Sequence, residues 1–197
     1  MSRLMELAGE AAHTRDMTFK TYKSGESHMI TQCRLTDARL KDYYKLTGEK
    51  VGSGTLHDME VVLLIKTPSL VIEDIEVAMM SVPRSDCNNV TKSLEPLIGL
   101  SVTRGFTANV RSLCGGIKGC THLVTLLTAA GPAIVQGYLA VSYQKQTGEK
   151  SDRSKKGSGM LSYLKNTCYA WREDGDACRK LEDLIRGSKE TGSGQKD

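Results

Sequence analysis

Aromatic side chains are scarce in this chain. They make up 5% of its 197 residues, with two Phe and one Trp, so any core must rest on Leu, Val, Ile and Met. An unbroken run of about 18 apolar residues is also missing, which argues against a membrane span. The six cysteines, at positions 33, 87, 114, 120, 168 and 178, form no C-x-x-C pair, so neither a zinc ribbon nor a thioredoxin-type redox pair is indicated. Acidic residues at Glu6 and Glu10 interrupt the N-terminus where a secretory leader would need an apolar stretch, and a cytoplasmic protein is expected. In that compartment the cysteines read as thiols or ligands rather than disulfides. A net charge of +4, without an arginine-rich helix or an RNA-reading aromatic motif, gives no reason to expect nucleic acid.

What is present is an ordinary globular composition, 39% hydrophobic and 25% charged. Residues 1–15 read as a polar lead-in. From Met17 the chain alternates, with Met17, Phe19 and Thr21 on one strand face, and His28–Leu35 follows as a second strand after the turn at Lys23–Ser27. Thr36–Thr55 reads as charged and turn-rich. Leu56-His57-Asp58-Met59 leads into a strand over Glu60–Lys66, which returns as Leu70–Met80 after Thr67-Pro68-Ser69. Helices are expected over Val90–Ile98, over a short stretch from Arg104 through Leu113, from Cys120 onward with Pro132 kinking or dividing it, and through Leu181–Ile185. Two hairpins followed by helices predict an α+β fold, an antiparallel sheet covered on one face by helices. One domain is expected over residues 16–186, with a mobile loop at about 145–159 and a disordered tail at 187–197.

The chemistry gathers at the ends of elements. Gly115-Gly116-Ile117-Lys118-Gly119-Cys120-Thr121-His122 carries a thiol and an imidazole into the start of the longest apolar helix, where unpaired N–H groups and the helix dipole favour a thiolate. His57-Asp58 enters one strand and Cys87 leaves its hairpin partner. Thiolate, imidazole and carboxylate together suit zinc, iron or a cluster, so His57, Cys87 and Cys120, with Asp58 or His122, form the expected metal site. A second reading makes Cys120 a nucleophile, with His57 as base and Asp58 as orienting carboxylate, in a transferase or hydrolase. His57 is the preferred base because residues two apart on a helix diverge by about 200°. A third reading is an interaction module docking through the lysines at 145, 150, 155 and 156. Cys33, Cys114 and Cys178 read as core.

Leu35-Thr36-Asp37, Leu56-His57-Asp58-Met59, Gly119-Cys120-Thr121-His122-Leu123 and Cys168-Tyr169-Ala170-Trp171 together resemble a bacterial family catalogued only as a domain of unknown function, over roughly Thr14 to Gly175. That resemblance implies an accessory role beside metabolic enzymes, with a protein partner. A remoter likeness is to iron–sulfur cluster scaffolds of the NifU/IscU type, which implies a hairpin-plus-helix centre and a role in iron–sulfur, sulfur or metal handling. On that likeness His57-Asp58 stands at the first cysteine's position, Cys87 at the second and Cys120 at the third. The histidine in the first position departs from the scaffold pattern and leaves an ion of zinc or iron, or a cluster of mixed ligation, as the implied cofactor.

Overall fold

The computed structural model describes residues 2–143 and 153–190, and these divide into two compact units, 1–138 and 139–197. The sequence reading, with one domain over 16–186, draws no such division.

The first unit is the expected α+β arrangement. Strands β1 (His13–Ser24), β2 (His28–Arg39), β5 (Gly54–Lys66) and β6 (Val71–Ser81) form one antiparallel sheet in the order β1-β2-β5-β6. A small two-stranded ladder, β3 (Tyr43–Tyr44) with β4 (Lys50–Val51), occupies the connection between β2 and β5. Both hairpins appear, and their strands run longer than the hydrophobic pattern alone suggests. β1 starts within the stretch read as a lead-in, and β2 continues through Asp37 into the stretch read as turns.

Period-two alternation assigns the faces. Met29, Thr31, Cys33, Leu35 and Asp37 of β2, and His57, Met59, Val61, Leu63 and Ile65 of β5, are buried. The intervening residues face the other side, where Arg34 pairs with Asp58 and Gln32 with Glu60. Burial beside Glu60 pushes the Cys33 thiol up to about 12, which keeps it protonated and inert, as a core cysteine should be.

The helices cover the buried face. Ser85–Leu97 forms a 3-10 helix where an α-helix was expected. Asn88, Asn89, Thr91 and Ser93 are weak α formers whose side chains compete for backbone groups, and Pro96 lacks an N–H. Gly99, at φ 88°, then turns the chain so that the Gly99 N–H donates to Ile72 O and the Ile72 N–H to Leu100 O, tying this segment to the start of β6. Helix α1 (Phe106–Cys114) precedes α2 (Thr121–Tyr143). Pro132 neither ends nor divides α2; Gly131 and Ala133 flank it with minimal bulk, and Gly131 sits against the Phe106 ring.

Helix α2 is long and apolar enough, by length and composition, to cross a membrane, with a mean hydropathy of 1.5 over Thr121–Ser142. Its Leu123, Leu126, Leu127, Ala130 and Ile134 are fully buried in the first unit, though only 28% of the apolar window is buried. Its direction follows from two contacts. His122 meets Asp37 at one end, and Gly137 lies so close to Thr21 that a Cβ there would collide with it. The helical rise from His122 to Gly137, about 22 Å, matches the strand rise from Arg15 to Thr21, about 20 Å.

In the second unit α3 (Arg153–Leu164) packs on α4 (Asp176–Glu190). Part of the stretch expected as a mobile loop is therefore helix; its residues 145–152 lie outside the described residues, as do 191–197 of the tail. The Cys178 thiol is buried and donates to Trp171 O, and Lys165 pairs with Glu173 at 2.6 Å.

Candidate metal centre

One rung of the sheet builds the site. Arg15 of β1, Asp37 of β2 and His57 of β5 are direct cross-strand partners, so all three project from the same face in a row. Beside this rung the β2–β5 register shifts. Ala38 faces Thr55 and Leu56 is the extra residue, a bulge at the edge of the site. His13, two residues before Arg15, shares its face. Above the rung stands the start of α2. Gly119, just before α2, packs tightly: a Cβ there would collide with the Cys114 carbonyl and Ser93 Oγ, so only glycine fits between α1 and the 3-10 helix at this point.

Asp37 is the hub, with a side chain only 2% exposed. Arg15 grips it with both arms, Nε to Oδ1 at 2.6 Å and a terminal nitrogen to Oδ2 at 2.7 Å. His57 Nδ1 lies 3.0 Å from Oδ2, His122 Nε2 3.7 Å from Oδ2, and His13 Nε2 3.5 Å from Oδ1. The guanidinium, outweighing the cost of burial, holds the Asp37 carboxyl at about 2, well below the usual carboxylate range. The imidazoles of His57 and His122 stack with centroids 3.8 Å apart. Burial first, then the neighbouring His57 and Arg15, push the His122 imidazole below its ordinary value, with Asp37 opposing them. A neutral imidazole is the form that binds a metal.

One ligand atom each from Asp37, His57 and His122 lies within 4.8 Å of the other two. An ion with bonds of about 2.1 Å separates neighbouring donor atoms by about 3.0–3.4 Å. The 3.0 and 3.7 Å separations from Asp37 Oδ2 lie near that range, and the three ligand atoms stay within 4.8 Å of one another.

The sequence-predicted residues part company here. His57 and His122 come together. Asp58 does not join them: adjacent strand residues point to opposite faces, and Asp58 is held by Arg34 through two bonds of 2.8 and 2.6 Å on the far side of the sheet. Cys87 sits half-buried in the 3-10 helix, beyond the end of β6 at Ser81, and is not among the three clustered ligands. Cys120 lies beside the site but does not face the ion position. Its Sγ is 3.6 Å from Nδ1 of His122, the ring nitrogen remote from Asp37. The expected divergence of Cys120 from His122 does not occur, because Cys120 precedes α2 and only its carbonyl enters the helix, accepting from the Val124 N–H.

Asp37, Arg15 and His13 are the site residues that sequence reasoning missed, although the signal was there. Asp37 continues the alternation Met29, Thr31, Cys33, Leu35, an acid at a core-facing position. His13 and Arg15 have the same parity as Met17, Phe19 and Thr21.

A family model described as protein of unknown function (DUF2889) matches residues 13–136, a span that holds every residue of this site. No curated protein and no solved structure matches the chain.

Proposed function

The chain belongs to the DUF2889 family of proteins of unknown function, and we propose that it binds one divalent metal ion through Asp37, His57 and His122. The observation that carries this is the convergence of two imidazoles and a buried carboxylate, all within 4.8 Å. Two histidines and a carboxylate leave coordination positions open, a donor set suited to zinc or ferrous iron in a reactive centre. A cluster would need thiolates, and the thiol beside the site, Cys120, reaches His122 instead. In this reading Cys120 is a positioning residue, its sulfur accepting from Nδ1–H of His122 so that the Nε2 lone pair is left for the ion. An accessory role with a protein partner belongs to the same proposal and rests on the family resemblance.

Cobalt(II) and zinc(II) titrations of the full chain test it. One equivalent of cobalt with visible d–d bands is expected, lost in His57→Ala and Asp37→Asn and kept in Cys120→Ser. Absence of stoichiometric uptake of either ion, or of anaerobically supplied ferrous iron, removes the reading.

A second reading has its own observation. Cys120 Sγ, His122 and Asp37 form a relay with steps of 3.6 and 3.7 Å, so a thiol nucleophile would use His122 as base and Asp37 as orienter, rather than His57 and Asp58. It requires a metal-free protein whose Cys120 is alkylated far faster at neutral pH than the same thiol in His122→Ala.

A further inference from the structure

The charges around Asp37 do not balance once an ion is present. The carboxylate supplies one negative charge, Arg15 one positive, and a divalent ion two more, with the imidazoles neutral. The sum is a net positive site around a floor only 2% exposed. Uncompensated charge in such a place is costly, and an anion from solution is the natural remedy.

The mouth of the site is built to take one. Arg15 and His13 are alternate residues on one face of β1, which is an edge strand of the sheet among the described residues. Their side chains are 35% and 50% exposed, whereas His57 and His122 deeper in the site are 10% and 20% exposed. Arg15 directs two of its five N–H donors at Asp37. An ion taking Asp37 Oδ2 withdraws the acceptor of one of them and leaves that N–H to a new acceptor, on the strand face Arg15 shares with His13. A planar fork with a neighbouring imidazole matches the paired oxygens of a carboxylate or a phosphoryl group.

We propose that the metal centre takes an oxyanionic ligand, a carboxylate or phosphoryl group, held between the ion and the Arg15–His13 pair. The proposal rests on the metal reading above. It assigns substrate class as well: a small molecule carrying such a group, anchored by Arg15 and presented to the ion's open positions.

The test uses the full chain loaded with one equivalent of cobalt(II), with acetate and methylphosphonate as separate probes read by the d–d bands. Saturable spectral change with at least one probe is expected, and the probe that binds more tightly gives the class. Arg15→Gln, titrated with cobalt until its own d–d bands saturate, should weaken that binding at least about tenfold, and Arg15→Lys should give an intermediate value because it keeps charge without the fork. His13→Gln should weaken it by a smaller factor. No saturation in loaded wild type, or equal affinity in cobalt-loaded Arg15→Gln, overturns the proposal. Should Arg15→Gln fail to fold by circular dichroism, Arg15→Lys and His13→Gln decide, and wild-type affinity in both overturns it. Failure of the metal reading is seen separately, as absence of cobalt uptake by wild type before any anion is added, and it removes the proposal with it.

Discussion

Five nitrogens lie within 3.7 Å of the two oxygens of Asp37, and removing its charge leaves them facing a neutral group. Breaking a buried pair costs about 3–5 kcal/mol, but Arg15 is one-third exposed and can turn to water, so Asp37→Asn should lower stability by about 2 kcal/mol in denaturant unfolding. Asp58→Asn, cutting a solvent-side pair to Arg34, should cost less than about 1 kcal/mol and leave metal uptake as in wild type. If Asp58→Asn abolished uptake, the ligand assignment would be wrong. Acid acts through the same carboxylate. Its folded value, about 2, lies below the ordinary 3.8, so the unfolded chain takes up the proton first. The stabilisation is present above about pH 4 and drains away as pH falls toward 2, amounting to about 2 kcal/mol. His122, also depressed, adds a step at higher pH. The unfolded imidazole protonates near 6.5 while the folded one resists, so stability should fall as pH drops below that value. In His122→Asn this slope between pH 7 and 5.5 should flatten, as read from urea midpoints.

At the scale of elements, the placement of α2 decides whether the site exists. Gly119 admits its start against Ser93 and Cys114, and Gly137 admits its later turns against Thr21. A valine at Gly137 has nowhere to go and should cost about 1–3 kcal/mol by overpacking. Because the strain is applied fifteen residues from His122, metal affinity should fall as well if α2 tilts as a rigid rod. Unchanged affinity with lowered Tm would mean that the helix bends locally instead, with Pro132 the natural point of yielding. Hairpins and helices were legible in the sequence because each has its own period. The partnership of Asp37 with His57 was not, since it depends on how β2 meets β5 across the connection at 40–53, and no local pattern states that pairing. The separation of His57 from Asp58, by contrast, was available from strand parity alone. Cys120 was not legible for a different reason: it lies one residue before α2, where helical angles do not hold.

For the whole molecule, thiol accessibility gives an ordering that reports on both units. Cys168 is exposed, Cys87 and Cys120 are half-buried, and Cys33, Cys114 and Cys178 are buried. Alkylation of the native protein should modify Cys168 first and leave the last three untouched until denaturant is added, with mass spectrometry after proteolysis as the readout. Early labelling of Cys33 would contradict its place in the sheet core. The sheet also has a built-in error check. Arg15, Asp37 and His57 line up only when three strands are in step, by the same parity that buries Met59, Val61, Leu63 and Ile65. A strand slipped by one position would turn Asp58 and Glu60 inward and His57 outward, setting Asp37 opposite Leu56 or Asp58 in place of its histidine. A misthreaded chain thus forfeits its core and its ligands at a single stroke, and a bound ion would mark out those copies that have folded true.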